Sequence, residues 1–297
     1  MDKYVVFQIE GGIGKNVVST AVVRAISKSF PDRKIIIVTA YPDIWECNPR
    51  IYRIYQFGQI SYFYNDFIDG KDTILFLHEP YRHQDYIFKT KHITQLWCEL
   101  CGVEWDGEKP ELYFTKLESD FVSTLINKDR PIFMIHPFGG SEGQAHKYSW
   151  ARDMPPSLAQ DVIDYMSKDY RVIQVKRQDQ LSLNNVEYLS LNARQLALSL
   201  LESDKRFFID SYMQHVAASL SLPSNVLWIA NSPNTLGYSI HNNIECEFEK
   251  GSLKNSVYEP YDILGDPIQL ATPPNVLFDS KQIISKIKYM LPQKKDM

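Results

Sequence analysis

The sequence predicts an α/β protein of two Rossmann-like domains. Three observations predict it. An apolar run near the start passes through glycines into an amphipathic helix. The same strand–glycine turn–helix order begins again near the middle of the 297-residue chain. Between the two lies a polar, helix-breaking stretch, Asn127-Lys128-Asp129-Arg130-Pro131. The domains are therefore drawn as 1–128 and 129–297, each within the usual domain size. The closing helix is allowed to pack back on the N-terminal domain.

In the first half, Tyr4–Ile9 reads as a buried strand and Gly11, Gly12 and Gly14 as the turn after it. Val17, Val18, Ala21, Val22, Ala25 and Ile26 then repeat at helical spacing. Lys34–Val38 is continuously apolar, as a parallel strand covered on both faces must be. Ile51–Tyr55 and Thr73–Phe76 are expected as further strands, and His92–Leu100 and Lys116–Ile126 as helices. Leu117, Phe121, Val122 and Leu125 form the apolar face of the last of these.

The second half starts with the strand Ile132–Ile135 and the turn His136-Pro137-Phe138-Gly139-Gly140. Pro155 and Pro156 mark a helix start, carried on by Leu158–Met166. Strands follow at Arg171–Val175, Phe207–Ile209 and Val226–Ile229. Helices follow at Ala193–Leu201, Tyr212–Leu220 and Lys281–Leu291.

Composition excludes several function classes. Net charge is −4, and neither half has an excess of Lys and Arg, so a groove driven by phosphate neutralisation along nucleic acid is disfavoured. No apolar run approaches the ~20 residues that span a bilayer, and the short N-terminal run is not a secretory leader. The expected location is cytoplasmic, with reduced thiols. Cys98 and Cys101 form one CxxC within a helical pattern, without a second Cys or His pair at zinc spacing. Buried thiols are the expectation, and no metal site is predicted.

Two clusters carry candidate chemistry. In Glu10-Gly11-Gly12-Ile13-Gly14-Lys15-Asn16, the glycines admit a ligand to the backbone and the following helix N-terminus favours anions. A P-loop requires a glycine five residues before Gly14 and a hydroxyl after Lys15. Ile9 and Asn16 stand there, which argues against an ATPase. The remaining readings are a sugar or phosphate contact and a plain tight turn. In the second cluster, a short strand delivers Asp210 and Ser211 to a helix N-terminus. Ser211 is expected to cap the helix while free amides face a diphosphate, and His215 lies one turn further on.

With Pro223, Trp228 and Pro233, residues 209–238 resemble the C-terminal signature of glycosyltransferase family 9, the heptosyltransferase type. Its pattern D-[ST]-G-x-x-H-x-A-A is met by Asp210, Ser211, His215, Ala217 and Ala218. Gly14, Val17, Val18, Thr20, Ala21 and Val22 resemble the family's first loop and helix. Ile135 to Gly140 resembles its strand–HPG turn, and Lys147 before Trp150 its K-x-W element. The resemblance implies a GT-B fold, with two Rossmann-like domains facing across a cleft. It also implies an inverting, metal-independent transfer with no cofactor. The donor is a nucleotide-diphosphate sugar held mostly by the C-terminal domain. It places Ser211 and His215 at the donor and Lys147 at the diphosphate leaving group, where a cation substitutes for a metal. Gly12, Gly14, Asp210 and Arg177, just past the strand Arg171–Val175, complete the expected donor contacts.

The chain departs from the pattern at two positions. Lys15 stands where the family has its presumed acidic base, and Tyr212 replaces the glycine after the Asp-Ser pair. Lys15 is better suited to hold an anion than to act as base. Substitutes lie beyond the strand Thr73–Leu77, in His78-Glu79-Pro80-Tyr81-Arg82-His83-Gln84-Asp85, where open α/β sheets bind ligands. Glu79 and Asp85 are the favoured bases; Glu10 is another candidate. Tyr52, Tyr55, Phe57, Tyr62, Phe63, Tyr64 and Phe67 are read as core and strand surface, or as an acceptor platform. A glycan or lipid-linked acceptor is expected, and a modified nucleobase stays open. For a lipid-linked one, only Lys281, Lys286, Lys288, Lys294 and Lys295 offer basic character. Two rivals stand beside the transferase: a non-catalytic nucleotide-sugar-binding protein of the same fold, and a P-loop-like ATPase.

Overall fold

A computed structural model describes residues 2–140, 152–229, 231–248, 276–277 and 279–288. The chain divides into two compact units, Met1–Ser119 and Asp120–Met297. The division falls inside a helix, upstream of the Asn127–Pro131 segment.

The first unit contains strands β1 (Lys3–Ile9), β2 (Lys34–Thr39), β3 (Ile51–Gln56) and β4 (Asp72–Phe76). They form one parallel sheet in the order β3-β2-β1-β4. Helix α1 (Ile13–Ser29) joins β1 to β2. Its apolar positions from Val17 to Ile26 are all buried, and so are Asn16, Ser19, Thr20 and Arg24 on its other faces. A helix buried nearly all round needs partners for its polar groups. Arg24 finds them in Asp106 at 2.9 Å, Glu111 at 3.1 Å and the Lys109 carbonyl at 3.0 Å. Short helices α2 (Phe63–Phe67) and α3 (Gln84–Ile87) and helix α4 (Ile93–Leu100) complete this unit. Phe67 seals a cluster of Tyr4, Val6, Ile36 and Val38, with Tyr55 and Phe63 packed against it, while Tyr52, Phe57, Tyr62 and Tyr64 are exposed. The aromatic-rich stretch thus supplies both core and surface.

Helix α5 (Lys116–Leu125) carries the residue that divides the units. Of its expected apolar face only Val122 enters a core. Val122 is buried, but Leu117, Phe121 and Leu125 are 79%, 49% and 42% exposed. They share one stripe at i, i+4 and i+8, as helical spacing requires, and that stripe stays largely exposed.

The second unit has a five-stranded parallel sheet in the order β6-β5-β7-β8-β9. Its strands are β5 (Ile132–His136), β6 (Arg171–Gln174), β7 (Lys205–Ile209), β8 (Asn225–Trp228) and β9 (Asn242–Glu245). The helices are α6 (Pro156–Met166), α7 (Ala193–Ser199), α8 (Tyr212–Ser219), α9 (Pro233–Leu236) and α10 (Ser280–Lys288). One core joins Phe133, Ile135, Phe207, Ile209 and Leu227 of the strands to Leu158, Val162 and Ile163 of α6. Ile283 and Ile287 of α10 enter the same core, so this helix packs against the second unit. A two-stranded antiparallel ribbon, β10 (Glu247–Phe248) with β11 (Val276–Leu277), was not foreseen, and neither was β9. Asn242-Asn243-Ile244-Glu245 lacks the apolar run that marked its neighbours, because an edge strand need not be covered on both faces. No described helix is long and apolar enough to cross a membrane.

Candidate functional site

Ligand sites of parallel sheets lie beyond the carboxyl ends of the strands, and both units place charged and polar side chains there. In the first unit, the loop after β1 carries Gly11 at φ +95°, a conformation that favours glycine. Gly12 is the N-cap of α1, and no side chain caps that helix; Gly14 lies in its first turn. Lys15 is only 8% exposed. An ammonium so close to the positive end of a helix is unfavourable unless a carboxylate answers it. Glu79, from the loop after the neighbouring strand β4, does so by direct ion pairing. The Lys15 Nζ also lies 5.3 Å from the Tyr81 ring centroid and 5.4 Å from that of Trp97.

Glu79 Oε2 meets Lys15, and Oε1 accepts the Tyr81 amide at 3.2 Å. Asp85 is engaged differently. The Thr90 hydroxyl donates to it at 2.8 Å, and Lys91 and His83 lie at 3.3 and 3.6 Å. Those contacts, led by Thr90, hold its carboxyl below the ordinary range, making it a poor proton acceptor. His83 Nδ1 caps α3 and His92 Nδ1 caps α4. Glu10 is exposed and accepts from the Gln8 amide at 3.0 Å.

Asn16 is fully buried. Its Oδ1 accepts from the Thr39 hydroxyl at 2.5 Å and the Trp45 indole at 3.1 Å, and its amide donates to the Gly12 carbonyl at 3.2 Å. The position where a P-loop needs a magnesium-binding hydroxyl is instead an anchor that ties α1 to β2. Cys98 and Cys101 are buried, and burial pushes both thiols up to about 12, so they are inert core.

In the second unit, β5 and β7 are neighbours, with His136 in register with Phe208. Beyond their ends, His136 Nδ1 and Ser211 Oγ lie 2.7 Å apart, both groups buried. Here the expectation is corrected. Ser211 occupies the N-cap position of α8, but its hydroxyl does not cap the helix, because His136 has taken it. The first amides of α8 are left without a side-chain partner. Asp210 is buried as well; Asn231 and Gln214 donate to it, and burial pushes its carboxyl up. His215 is buried on α8, with Nδ1 2.9 Å from the Tyr238 hydroxyl.

Two arginines charge this corner. The Arg152 guanidinium lies against Gly139: a Cβ added there would stand 2.7 Å from Nε. Arg177 bonds the Gly140 carbonyl and pairs with Asp179 at 3.0 Å. Burial first, and then the charges of Arg152 and Arg177, lower His136 to about 3. Its imidazole is therefore neutral in the folded protein at physiological pH. Lys147, the expected cation for the leaving group, lies outside the described residues. Of the expected site residues, the structure brings together Lys15 and Glu79 near Gly12 and Gly14 in one unit. In the other it gathers Ser211, Asp210 and Arg177 near His136, with His215 one turn along α8.

No protein-family model and no curated protein matches the chain. Solved structures do. A glycosyl transferase family 9 protein from Veillonella parvula DSM 2008 is similar at TM-score 0.68 and 16% identity, with 97% of each chain covered. The chain has the fold of glycosyltransferase family 9. The E. coli ADP-heptose LPS heptosyltransferase II gives TM-score 0.66 at 11% identity, covering 96% of this chain and 97% of that one. The dodecameric iron-containing heptosyltransferase TibC from enterotoxigenic E. coli, in complex with ADP-D-β-D-heptose, gives 0.68 at 14%, covering 97% and 76%. At these identities the likeness establishes the GT-B architecture and not the chemistry.

Within that architecture, sequence reasoning missed Arg152, the contact of His136 with Ser211, and the support of Asp210 by Gln214 and Asn231. One signal was available. If β5 and β7 are adjacent, a strand ending in His beside one ending in Asp-Ser puts the three groups at one edge. The paired glycines 139 and 140 also open room for a guanidinium.

The buried histidines give a pH prediction. His136 is lowered to about 3 and His241 to about 4, both chiefly by burial. Folded-state values below the ordinary 6.5 mean stability present above that value and lost as pH falls toward the folded values. The melting temperature is expected to fall between about pH 6.5 and 4.5. Asp210, raised by burial, acts in the opposite sense. Comparison with His136→Asn therefore isolates the imidazole, and this variant should show a shallower fall. Parallel pH profiles for the two proteins would refute the assignment.

Proposed function

We propose that the protein is a glycosyltransferase that takes a sugar from a nucleotide-diphosphate donor and passes it to an acceptor hydroxyl, with inversion and without a metal. One observation carries the reading: beyond β5 and β7, a family 9 fold presents a helix N-terminus, a serine hydroxyl and two arginines to one corner. Such donors suit a diphosphate, which leaves as an anion when the glycosidic bond breaks. Lys147 and His215 are proposed to join them. Two of the similar structures are named for ADP-heptose, which makes adenosine diphosphate the first nucleotide to try.

The acceptor hydroxyl is proposed to lose its proton to Glu79. Each carboxylate oxygen has two lone pairs, so Glu79 can accept that proton while its bonds to Lys15 and the Tyr81 amide persist. Asp85, held ionised by its neighbours, is the weaker candidate. The pairing of Lys15 with Glu79 also favours a second reading, a nucleotide-sugar-binding protein without turnover, in which the carboxylate serves only to neutralise the lysine. A glycan or lipid-linked acceptor and a cytoplasmic location belong to the proposal.

A thermal-shift screen over nucleoside diphosphates and their sugars tests it. Stabilisation by at least one, followed by release of its diphosphate in the presence of acceptor glycans, is the expected result. Binding without turnover selects the second reading. No shift with any donor, together with magnesium-dependent ATP hydrolysis, would replace both with an ATPase.

A further inference from the structure

An N-cap serine ordinarily turns its oxygen toward the amides of its own helix. Ser211 does not. It has the extended backbone of an N-cap, φ −148° and ψ 175°, yet its Oγ lies 2.7 Å from His136 Nδ1 and α8 has no side-chain cap. His136 therefore changes what the end of α8 offers. The helix amides stay available, and the hydroxyl is committed to an imidazole that burial and two arginine charges keep neutral.

A neutral imidazole has one N–H, and two arrangements fit the 2.7 Å contact. Either Ser211 donates to a bare Nδ1, or an Nδ1–H donates to Oγ. The first uses up the hydroxyl proton. The second leaves it free to point elsewhere. The phosphate oxygens of a nucleotide-diphosphate sugar, substituted at both ends, carry no proton at neutral pH and accept only, so they can bond Ser211 only in the second arrangement.

We propose that His136 is a positioning residue for the diphosphate: as the Nδ1–H tautomer it donates to Ser211 Oγ and turns the Ser211 hydroxyl proton toward a phosphate oxygen. This rests on the reading of the corner as a donor site. His136 acts on the ligand through Ser211. Three neighbours shape the arrangement: Tyr212 sets its ring at 75° to the imidazole, centroids 5.7 Å apart, and Arg152 and Arg177 supply the positive field that disfavours a second ring proton.

The test uses the full chain with ¹⁵N-labelled histidine and adenosine diphosphate as probe at about pH 8.5, roughly two units above the second ionisation of a phosphate, so that its oxygens only accept. Two-bond ¹H–¹⁵N correlation spectra report which ring nitrogen of His136 is protonated. Saturating adenosine diphosphate is expected to show Nδ1 protonated and Nε2 bare. His136→Asn places an amide N–H near the Nδ1 position and should keep the dissociation constant within about threefold. His136→Leu, which cannot donate, should weaken binding about tenfold. Adding Ser211→Ala to His136→Leu should cost little more, because the two act as one unit. A bare Nδ1 in the bound protein overturns the inference, as do equal affinities of the Asn and Leu variants. Both results leave the donor site standing. If the wild-type chain binds neither adenosine diphosphate nor any other nucleoside diphosphate, the donor reading fails and this inference with it. The tautomer measurement needs no variant, so misfolding of His136→Leu does not blunt it.

Discussion

Glu79→Gln is expected to lower the turnover number for sugar transfer by about 10²- to 10⁴-fold while leaving donor affinity within about threefold, the size usual for loss of a general base. The amide keeps the shape of the carboxylate and can still accept from the Tyr81 amide, but it cannot take a proton from an acceptor hydroxyl. Lys15, 8% exposed between two aromatic rings, then loses its counter-ion. An uncompensated buried charge typically costs about 3–5 kcal/mol. Glu79 is half-buried, so the loss of stability should fall below that range, and melting temperature must be measured beside the rate. Asp85→Asn serves as the contrast. Its carboxyl is already held low by Thr90, Lys91 and His83, and its loss should change the rate by less than about tenfold. A Glu79→Gln enzyme with near-normal turnover would remove Glu79 from the chemistry and favour Asp85 or Glu10.

Arg152→Ala should weaken binding of the nucleoside diphosphate by about 10- to 100-fold, matching one or two charge-assisted hydrogen bonds of roughly 1.5–3 kcal/mol. Calorimetric titration measures it directly. The same variant removes one of the two charges that depress His136, so the imidazole should titrate closer to its ordinary value. The two readouts together separate a local role from general damage. An unfolded or distorted unit would lose affinity without giving a clean upward shift at His136. Affinity unchanged within about threefold would mean that Arg152 faces no phosphate.

Much of the fold was legible in the sequence because parallel strands covered on both faces must be continuously apolar. Tyr4–Ile9, Lys34–Val38, Ile132–Ile135 and Phe207–Ile209 announce themselves in that way, and all lie at the centre of their sheets or one strand from it. The edge strand Asn242–Glu245 does not, since half of its surface needs no apolar cover. The helix α5 misleads for a related reason. Period identifies residues that share a face, and Leu117, Phe121 and Leu125 do share one, but period cannot say whether that face is covered.

The candidate site was legible as positions and not as partnerships. Ser211, Asp210 and Glu79 stand just past strand ends, where spacing alone directs attention. The partners that decide their chemistry come from far along the chain. Glu79 meets Lys15 across 64 residues, and Ser211 meets His136 across 75. Ser211 illustrates the gap. Its local sequence predicts an ordinary helix cap, and a histidine on the neighbouring strand converts it into a hydroxyl bound by an imidazole. Asn16 shows the converse. Its spacing argued against a nucleotide triphosphatase, and its burial against Thr39 and Trp45 supplies the physical reason.

The most direct measurement is a crystal structure of the full chain soaked with adenosine diphosphate and, in parallel, with the best stabiliser from the thermal screen. The diphosphate is predicted against the first amides of α8, within hydrogen-bond reach of the Ser211 hydroxyl and the Arg152 guanidinium, with His136 still 2.7 Å behind Ser211. A nucleotide bound instead at Gly11–Lys15, with the α8 corner empty, would contradict the account.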